Sequence, residues 1–165
     1  MNNKKVKSIT YTALFAALVC IATLIIKIPS VVTNGYVHLG DGFIFIAVIL
    51  LGKRNGALAG AIGASLADTL GGYSHYIIPS FIIKLIMGYI MGLFIEKNIL
   101  SNKTSWLIGA LLGSLWQIIA YYIVGSLFVG SFLTTLIDIP ANTVQSLVGI
   151  FIANLLSGQL KKLVN

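Results

Sequence analysis

Lys84 is an ionisable residue placed deep inside an apolar stretch of the chain. It follows about eight residues of an apolar run, which corresponds to roughly 12 Å along a helix axis. A charged group at that depth in a membrane helix indicates a functional site by default, because the bilayer interior penalises unpaired charge. Two interpretations remain open: Lys84 contacts a ligand, or it forms a structural ion pair with Asp68 or Asp138. The two interpretations are compatible if the ion pair lies beside the bound ligand.

Two carboxylates and a histidine pair are the next candidates for chemistry. Asp68 lies near the end of an apolar helix, where it could accept a hydrogen bond from a ligand N–H or hydroxyl, or cap a neighbouring helix. Asp41 begins a helix, and a carboxylate stabilises a helix N-terminus, so capping is the favoured role. His38 and His75 could face each other across two loops. Without further spaced histidines or glutamates they predict no metal site.

Amides and aromatic rings cluster on two later helices. Gln117 and Tyr121 share one face at i, i+4, with Trp116 beside them, and Asn142 and Gln145 share a face at i, i+3. Rings that stack and amides that read polar edges are typical of a site for a planar, polar heterocycle. The alternative is hydrogen bonding between helices, which is common for Asn and Gln in membranes. The combination with Lys84 and Asp68 favours the ligand site.

Catalytic motifs are not found in the sequence. The segment Leu39-Gly40-Asp41 matches part of the Gly-x-Gly-Asp motif of intramembrane aspartyl proteases, but His38 replaces the first glycine. There is also no phosphate-binding loop, no His-Glu-x-x-His and no Gly-x-Ser-x-Gly. We therefore expect no enzyme activity, no cofactor and no metal.

The composition places these residues in a membrane protein. The chain is 58% hydrophobic and 9% charged, with a mean hydropathy of +0.98, whereas soluble domains carry about 25% charged residues. The net charge is +7, but the basic residues form no continuous run interleaved with aromatic residues, so we expect no nucleic-acid partner. Cys20 is the only cysteine, which excludes a disulfide within the chain.

Basic residues separate the apolar runs in a regular way. Nine of the eleven lie in four polar breaks: Lys4, Lys5 and Lys7; Lys53 and Arg54; Lys97 and Lys103; Lys161 and Lys162. The positive-inside bias then predicts an even number of crossings with both termini cytoplasmic. The second and third runs are short, but a re-entrant hairpin would bury Lys53 and Arg54 in hydrocarbon, so full crossing is favoured.

The predicted fold is an all-α integral membrane bundle of six transmembrane helices. It forms a single membrane domain over residues 1–165, in the plasma membrane, with helices at about 8–27, 37–52, 55–72, 76–96, 105–128 and 139–160. Three Gly-xxx-Gly pairs should pack helices closely inside the bundle. They are Gly56 and Gly60, Gly88 and Gly92, and Gly109 and Gly113.

Taken together, the segments resemble the substrate-binding S components of energy-coupling factor (ECF) vitamin transporters. The resemblance covers essentially the whole chain. The segments that carry it are YVHLGD (36–41), LGKRNG (51–56), LADTLGGY (66–73), FIIK (81–84) and NTVQSLVG (142–149). The most similar subgroup is assigned to hydroxymethylpyrimidine or pyridoxine-type vitamins and is grouped under a riboflavin-transporter label.

The resemblance implies a function, partners and a docking motif, and the side chains discussed above supply the expected binding residues. It implies capture of a water-soluble vitamin in an extracellular pocket, followed by docking to a transmembrane coupling protein and two ATPase subunits. The family's docking motif is an Ala-xxx-Ala pair, which maps to Ala13 and Ala17. The expected substrate-binding residues are Lys84, Asp68, Asn142, Gln145, Trp116, Tyr121, Tyr73 and His38.

Three alternatives stay open from the sequence. One is an S component specific for riboflavin. The second is a self-sufficient proton-coupled transporter in which Asp68 and Lys84 form the relay. The third is a structural membrane subunit without a ligand. Ligand binding by the isolated chain, and ATP dependence that requires other subunits, would separate them.

Overall fold

The computed structural model describes residues 3–30, 32–98 and 102–164, and this part of the chain is almost entirely helical. The side chains of Lys103, Lys161 and Lys162 lie outside the described part. The long helices are α1 (Asn3–Ile25), α2 (Gly40–Gly71), α3 (Ile77–Lys97), α4 (Asn102–Val129) and α6 (Asp138–Val164). Between them lie strands β1 (Lys27–Pro29) and β2 (Tyr36–His38), a 3-10 turn (Ser74–Tyr76) and the short helix α5 (Phe132–Thr135).

Five helical stretches among the described residues are long and apolar enough to cross a membrane. One of them, α2, is a hairpin. Gly52 leaves helical geometry with φ 78° and ψ 176°. A Cβ built on Gly60 would lie only 2.6 Å from Ile44, although these residues would be about 24 Å apart along one straight helix. The arms 40–51 and 53–71 therefore run back along each other.

The first arm of α2 is the centre of the bundle. Five consecutive residues from Ile44 to Val48 are fully buried, so this arm is covered on every side. Met87 and Met91 of α3 and Ala153 of α6 pack into the same core. The position of this arm explains its composition, because a helix surrounded by other helices needs no polar face.

Glycines allow the close approach between helices that their spacing predicts, and this prediction is confirmed. A Cβ on Gly56 would lie 2.4 Å from the Val48 backbone, and one on Gly88 would lie 2.9 Å from the Ala57 backbone. Cβ atoms on Gly109 and Gly113 would each lie 2.7 Å from a carbonyl oxygen of α3. Larger residues at these positions would push the helices apart.

The small antiparallel sheet was not expected for an all-α fold. β1 and β2 pair with Ile28 opposite Val37, and they connect α1 to α2. As a result α1 ends at Ile25, not at 27, and α2 begins at Gly40, not at 37. The sheet holds the intervening loop over one end of the bundle, which is where the cavity described below is found.

Candidate functional site

A cavity of about 230 Å³ lies between the β-hairpin and the adjoining helix ends. Its walls come from the hairpin, the end of α2, the start of α3, the end of α4, α5 and the start of α6. Its lining combines apolar side chains with hydroxyls, amides and carboxylates. The polar residues that matter most below are Tyr36, His38, Asp68, Ser80, Tyr121, Asn142 and Gln145.

Below the cavity lies a fully buried ion pair between Lys84 and Asp41. The Lys84 Nζ donates to Asp41 Oδ1 at 2.5 Å and also donates to Gln117 Oε1. Neither charged side chain has any exposed surface. Lys84 is thus half of an ion pair, but neither of the two partners considered from the sequence, Asp68 or Asp138, is the one observed. The true partner lies on the central arm of α2, which only the three-dimensional packing brings beside α3.

Asp41 does not cap its helix. Leu39 occupies the N-cap position without a capping side chain, and the N–H of Gly40 at this helix end donates to His38 Nδ1, not to Asp41. Instead Asp41 Oδ2 accepts hydrogen bonds from Gln117 Nε2 at 2.7 Å and from Gln145 Nε2 at 2.8 Å. Gln117 Nε2 also donates to Ser146 Oγ at 2.6 Å. The network joins α2, α3, α4 and α6 at one point, and it supplies each charge with partners that water cannot provide there.

Gln145 connects this buried network to the cavity. Its Nε2 is held by Asp41, and its Oε1 accepts the backbone N–H of His38 at 2.8 Å. Gln145 and His38 both line the cavity. The ion pair thus acts through Gln145 to set the position of β2 relative to α6. Lys84 and Asp41 do not line the cavity, but through Gln145 they hold in place the residues that do.

The tautomer of His38 follows from its contacts. Nδ1 accepts the backbone N–H of Gly40 at 3.0 Å and lies 3.5 Å from Thr23 Oγ1. Burial, reinforced by the positive charge of Lys84, lowers the pKa of His38 to about 4 and outweighs the opposite effect of Asp41. The ring is neutral at physiological pH, so its proton is on Nε2, which is the nitrogen left to act as a donor.

Asp68 is one of two carboxylates among the described residues of the cavity lining, and the other is Asp138. Asp68 Oδ1 accepts a hydrogen bond from the Tyr36 hydroxyl at 2.6 Å. Its Oδ2 is buried and has no hydrogen-bond partner among the described residues. Burial, together with this carboxylate, raises the pKa of Tyr36, so the phenol remains a donor. Asp68 Oδ2 therefore makes no hydrogen bond in the described structure, and the Ser80 hydroxyl of α3 interacts with the same carboxylate.

Tyr121 and Asn142 are two further polar residues of the cavity lining. The Tyr121 hydroxyl donates to Ser80 Oγ at 3.0 Å, and its ring centroid lies 5.3 Å from Lys84 Nζ. Tyr121 therefore contacts the ammonium with its face while lining the cavity, a favourable cation–π arrangement. Asn142 Nδ2 donates to the Asp138 carbonyl at 3.1 Å, so this amide is engaged within its own helix.

Three of the expected substrate-binding residues do not line the cavity. Lys84 lies below it and is fully buried. Trp116 Nε1 donates to the Ile83 carbonyl at 3.1 Å, between α4 and α3. Tyr73 packs its ring 4.4 Å from that of Tyr36. The structure brings the other five together in the cavity lining: Asp68, Asn142, Gln145, Tyr121 and His38.

Tyr36 is a cavity residue that the sequence reasoning missed. It lies two positions before His38 in β2, and alternate residues of a strand face the same side. The two rings are 5.5 Å apart between centroids. Recognising a strand in place of a helix start at this point would have predicted that Tyr36 accompanies His38.

A family model and two relatives match most of the chain. The family model described as "ECF-type riboflavin transporter, S component" matches residues 3–162. The chain is 32% identical over 163 residues to the thiamine precursor transporter HmpT of Lactococcus lactis subsp. cremoris (strain MG1363), covering 98% of this chain and 92% of that protein. It is also 30% identical over 144 residues to an uncharacterized protein in gap 3' region of Pyrococcus woesei, covering 87% of this chain and 95% of that one.

A solved structure shares the fold. The S-component for biotin from an ECF-type ABC transporter superimposes with a TM-score of 0.61 and covers 94% of this chain and 93% of that one. The sequence identity is 23%, so this likeness concerns the arrangement of the helices alone.

Proposed function

Because this chain belongs to the ECF-type riboflavin transporter S-component family, we propose that it captures hydroxymethylpyrimidine, a thiamine precursor, for import. S components of this family bind a vitamin and work with an ECF module of coupling and ATPase subunits. The observation that carries the substrate proposal is a cavity of about 230 Å³ whose lining places carboxylate, amide, imidazole and hydroxyl groups among apolar side chains. The relative named as a thiamine precursor transporter supports the same assignment.

The size of the cavity favours a single-ring substrate. Pockets for drug-sized ligands occupy about 300–1,000 Å³. A cavity of about 230 Å³ fits a substituted pyrimidine better than the three fused rings and sugar-derived chain of riboflavin. Tyr36 and Tyr121 offer rings for stacking, while Asp68, His38 and Gln145 offer acceptors and donors at the edges.

The buried ion pair also weighs against a self-sufficient proton-coupled carrier. That alternative requires Asp68 and Lys84 to exchange protons. Lys84 instead donates to Asp41 and Gln117, while Asp68 accepts from Tyr36. A relay between the two residues lacks a hydrogen-bonded connection in the described structure.

We further propose six membrane crossings with both termini in the cytoplasm. The hairpin at Gly52 supports two crossings within α2, and Lys53 and Arg54 lie at its tip. Lys97 ends α3 at the same side of the bundle, where Glu96 pairs with Lys53 at 2.5 Å. The cavity lies at the opposite ends of these helices, and the positive-inside bias then assigns it to the extracellular side.

The coupling protein is proposed to dock on α1. Ala13 and Ala17 are exposed on this helix, whereas Ala16 faces Gly63 of α2 inside the bundle. Two small exposed residues one turn apart leave a shallow strip against which another helix can pack closely. Their exposure supports the docking role that the family resemblance implies.

Calorimetric titration of the purified chain in detergent tests the proposal. Hydroxymethylpyrimidine should bind saturably and more tightly than pyridoxine or riboflavin. Reconstitution with an ECF module should then make uptake depend on ATP. Absence of saturable binding by a folded, monodisperse preparation would refute the capture function, and tighter binding of riboflavin would refute the substrate.

A further inference from the structure

The cavity contains carboxylates and no facing cation. Among the described residues that line it, the charged side chains are Asp68 and Asp138, and no lysine or arginine is present. Two lysines lie behind the cavity wall. Lys84 is fully buried, and its ammonium is engaged by Asp41 and Gln117. The Lys27 ammonium lies over the rings of Tyr36 and Tyr73, at 5.7 Å and 5.1 Å from their centroids. Among the described residues that line the cavity, a ligand therefore contacts carboxylates and no cationic side chain.

The two carboxylates, Asp68 and Asp138, differ in the hydrogen-bond partners that the protein supplies to them. Asp138 Oδ1 accepts a hydrogen bond from Ser30 Oγ at 2.7 Å, which links the start of α6 to the loop between β1 and β2. Asp68 is 3% exposed, and its Oδ2 has no partner among the described residues. Leaving a buried carboxylate oxygen unpaired costs free energy, so a ligand donor that reaches it gains affinity.

His38 supplies a hydrogen-bond donor to the same cavity that Asp68 lines. Tyr36 contacts both groups, through its hydroxyl to Asp68 and through its ring to His38. His38 presents Nε2–H, because Nδ1 already accepts from the Gly40 backbone. The cavity lining therefore offers both an acceptor, at Asp68, and a donor, at His38, to a heterocycle that carries an amino group and a ring nitrogen.

Building on the proposed function, we infer that Asp68 determines specificity by accepting an N–H from an amino-substituted, neutral or cationic heterocycle through Oδ2. The same arrangement excludes phosphorylated and carboxylate-bearing forms of the substrate. A phosphate buried beside Asp68 and Asp138 would contact no cationic side chain in the described lining, and like charges in a desolvated site repel strongly. The importer would thus take up the free precursor and leave its phosphate ester outside.

The wild-type protein tests this inference with three ligands. They are hydroxymethylpyrimidine, its analogue with the ring amino group replaced by hydrogen, and its phosphate ester. Because a hydrogen bond to a charged group is involved, the analogue should bind roughly ten- to a hundred-fold more weakly. The ester should show no saturable binding. Equal affinity for the first two ligands, or tight binding of the ester, overturns the inference while the capture function stands.

A pair of variants locates the effect at Asp68. Asp68→Asn removes the charge with little change of shape and should abolish most of the preference for the amino compound. Asp138→Asn makes the same charge change in the same cavity, at a carboxylate already engaged by Ser30, and should retain the preference. An equal loss in both variants would show that net charge, not the contact, is responsible, and would overturn the assignment. If Asp68→Asn does not fold, the three-ligand comparison decides alone.

The two proposals can fail separately. A folded wild-type protein that binds none of the three ligands contradicts the substrate proposal, and this inference with it. A protein that binds the free precursor without regard to its amino group contradicts this inference only.

Discussion

Lys84 and Asp41 form an ion pair of 2.5 Å at a point where neither side chain is exposed. The pair connects α3 to the central arm of α2, and Gln117 and Gln145 complete its hydrogen bonds from α4 and α6. Replacing both residues of a buried ion pair by apolar residues often leaves stability unchanged. Removing only one of them is strongly destabilising, because the other charge is left buried without a partner. Its position below the cavity indicates that it fixes the relative placement of four helices.

Breaking the ion pair should destabilise the protein strongly. Lys84→Met leaves Asp41 buried without its cation, and we expect a loss of about 3–5 kcal/mol in the free energy of unfolding. The double variant Lys84→Met with Asp41→Leu removes both charges and should recover most of that loss. Thermal unfolding in detergent measures both. Single and double variants of equal stability would contradict the role of the pair.

Gln145 should be required for binding more than for folding. In Gln145→Leu the His38 backbone N–H and Asp41 each lose a partner, so the cavity floor is no longer held in place. We expect at least about ten-fold weaker binding of hydroxymethylpyrimidine by calorimetry. Thr143→Val is the matched control, because the Thr143 hydroxyl bonds only to Ile139 in its own helix in the described contacts. A similar loss in the control would contradict the prediction.

Stability should fall as the pH drops from about 6.5 towards 4. The pKa of His38 is lowered to about 4 in the folded chain, so between these values the unfolded chain binds a proton that the folded chain does not. The contribution is fully present above pH 6.5 and amounts to a few kcal/mol at most. Melting temperatures across this range should depend less on pH in His38→Gln than in the wild type. His75→Gln, which removes an exposed histidine, is the control.

The hairpin of α2 should depend on Gly52. Its φ of 78° with ψ of 176° is a region that essentially only glycine adopts. Gly52→Ala should therefore lower the free energy of unfolding by about 1–3 kcal/mol, although no atom lies within 4 Å of the added methyl group. Gly158→Ala also has open space, and in its helical position it should cost nothing. Equal melting temperatures for the two variants would contradict the strain argument.

Bulky residues on the outer strip of α1 should stop transport without affecting binding. Ala13→Trp or Ala17→Trp adds volume on an exposed face, so stability and vitamin affinity should stay at wild-type values. ATP-dependent uptake by the reconstituted complex should fall to background because the coupling protein cannot approach. Leu111→Trp changes an exposed residue of α4 and should keep normal uptake. Loss of uptake in all three variants would contradict a specific docking strip.

The sequence by itself determined that the chain is a helical membrane protein of the S-component family, with Gly-xxx-Gly pairs that pack its helices. Those features depend on composition, charge placement and local spacing, which are visible along the chain. The chemistry and spacing of side chains also indicated Asp68, His38, Tyr121, Asn142 and Gln145, which the structure places together in one cavity.

The tertiary structure decided which charges meet. Lys84 and Asp41 are 43 positions apart, and only the fold of α2 around Gly52 brings Asp41 into the centre of the bundle beside α3. A helix that is apolar on all sides carries no periodicity to show which face meets which neighbour. For the same reason the sequence could not show that Lys84 and Trp116 lie outside the cavity lining, whereas Tyr36 lies within it.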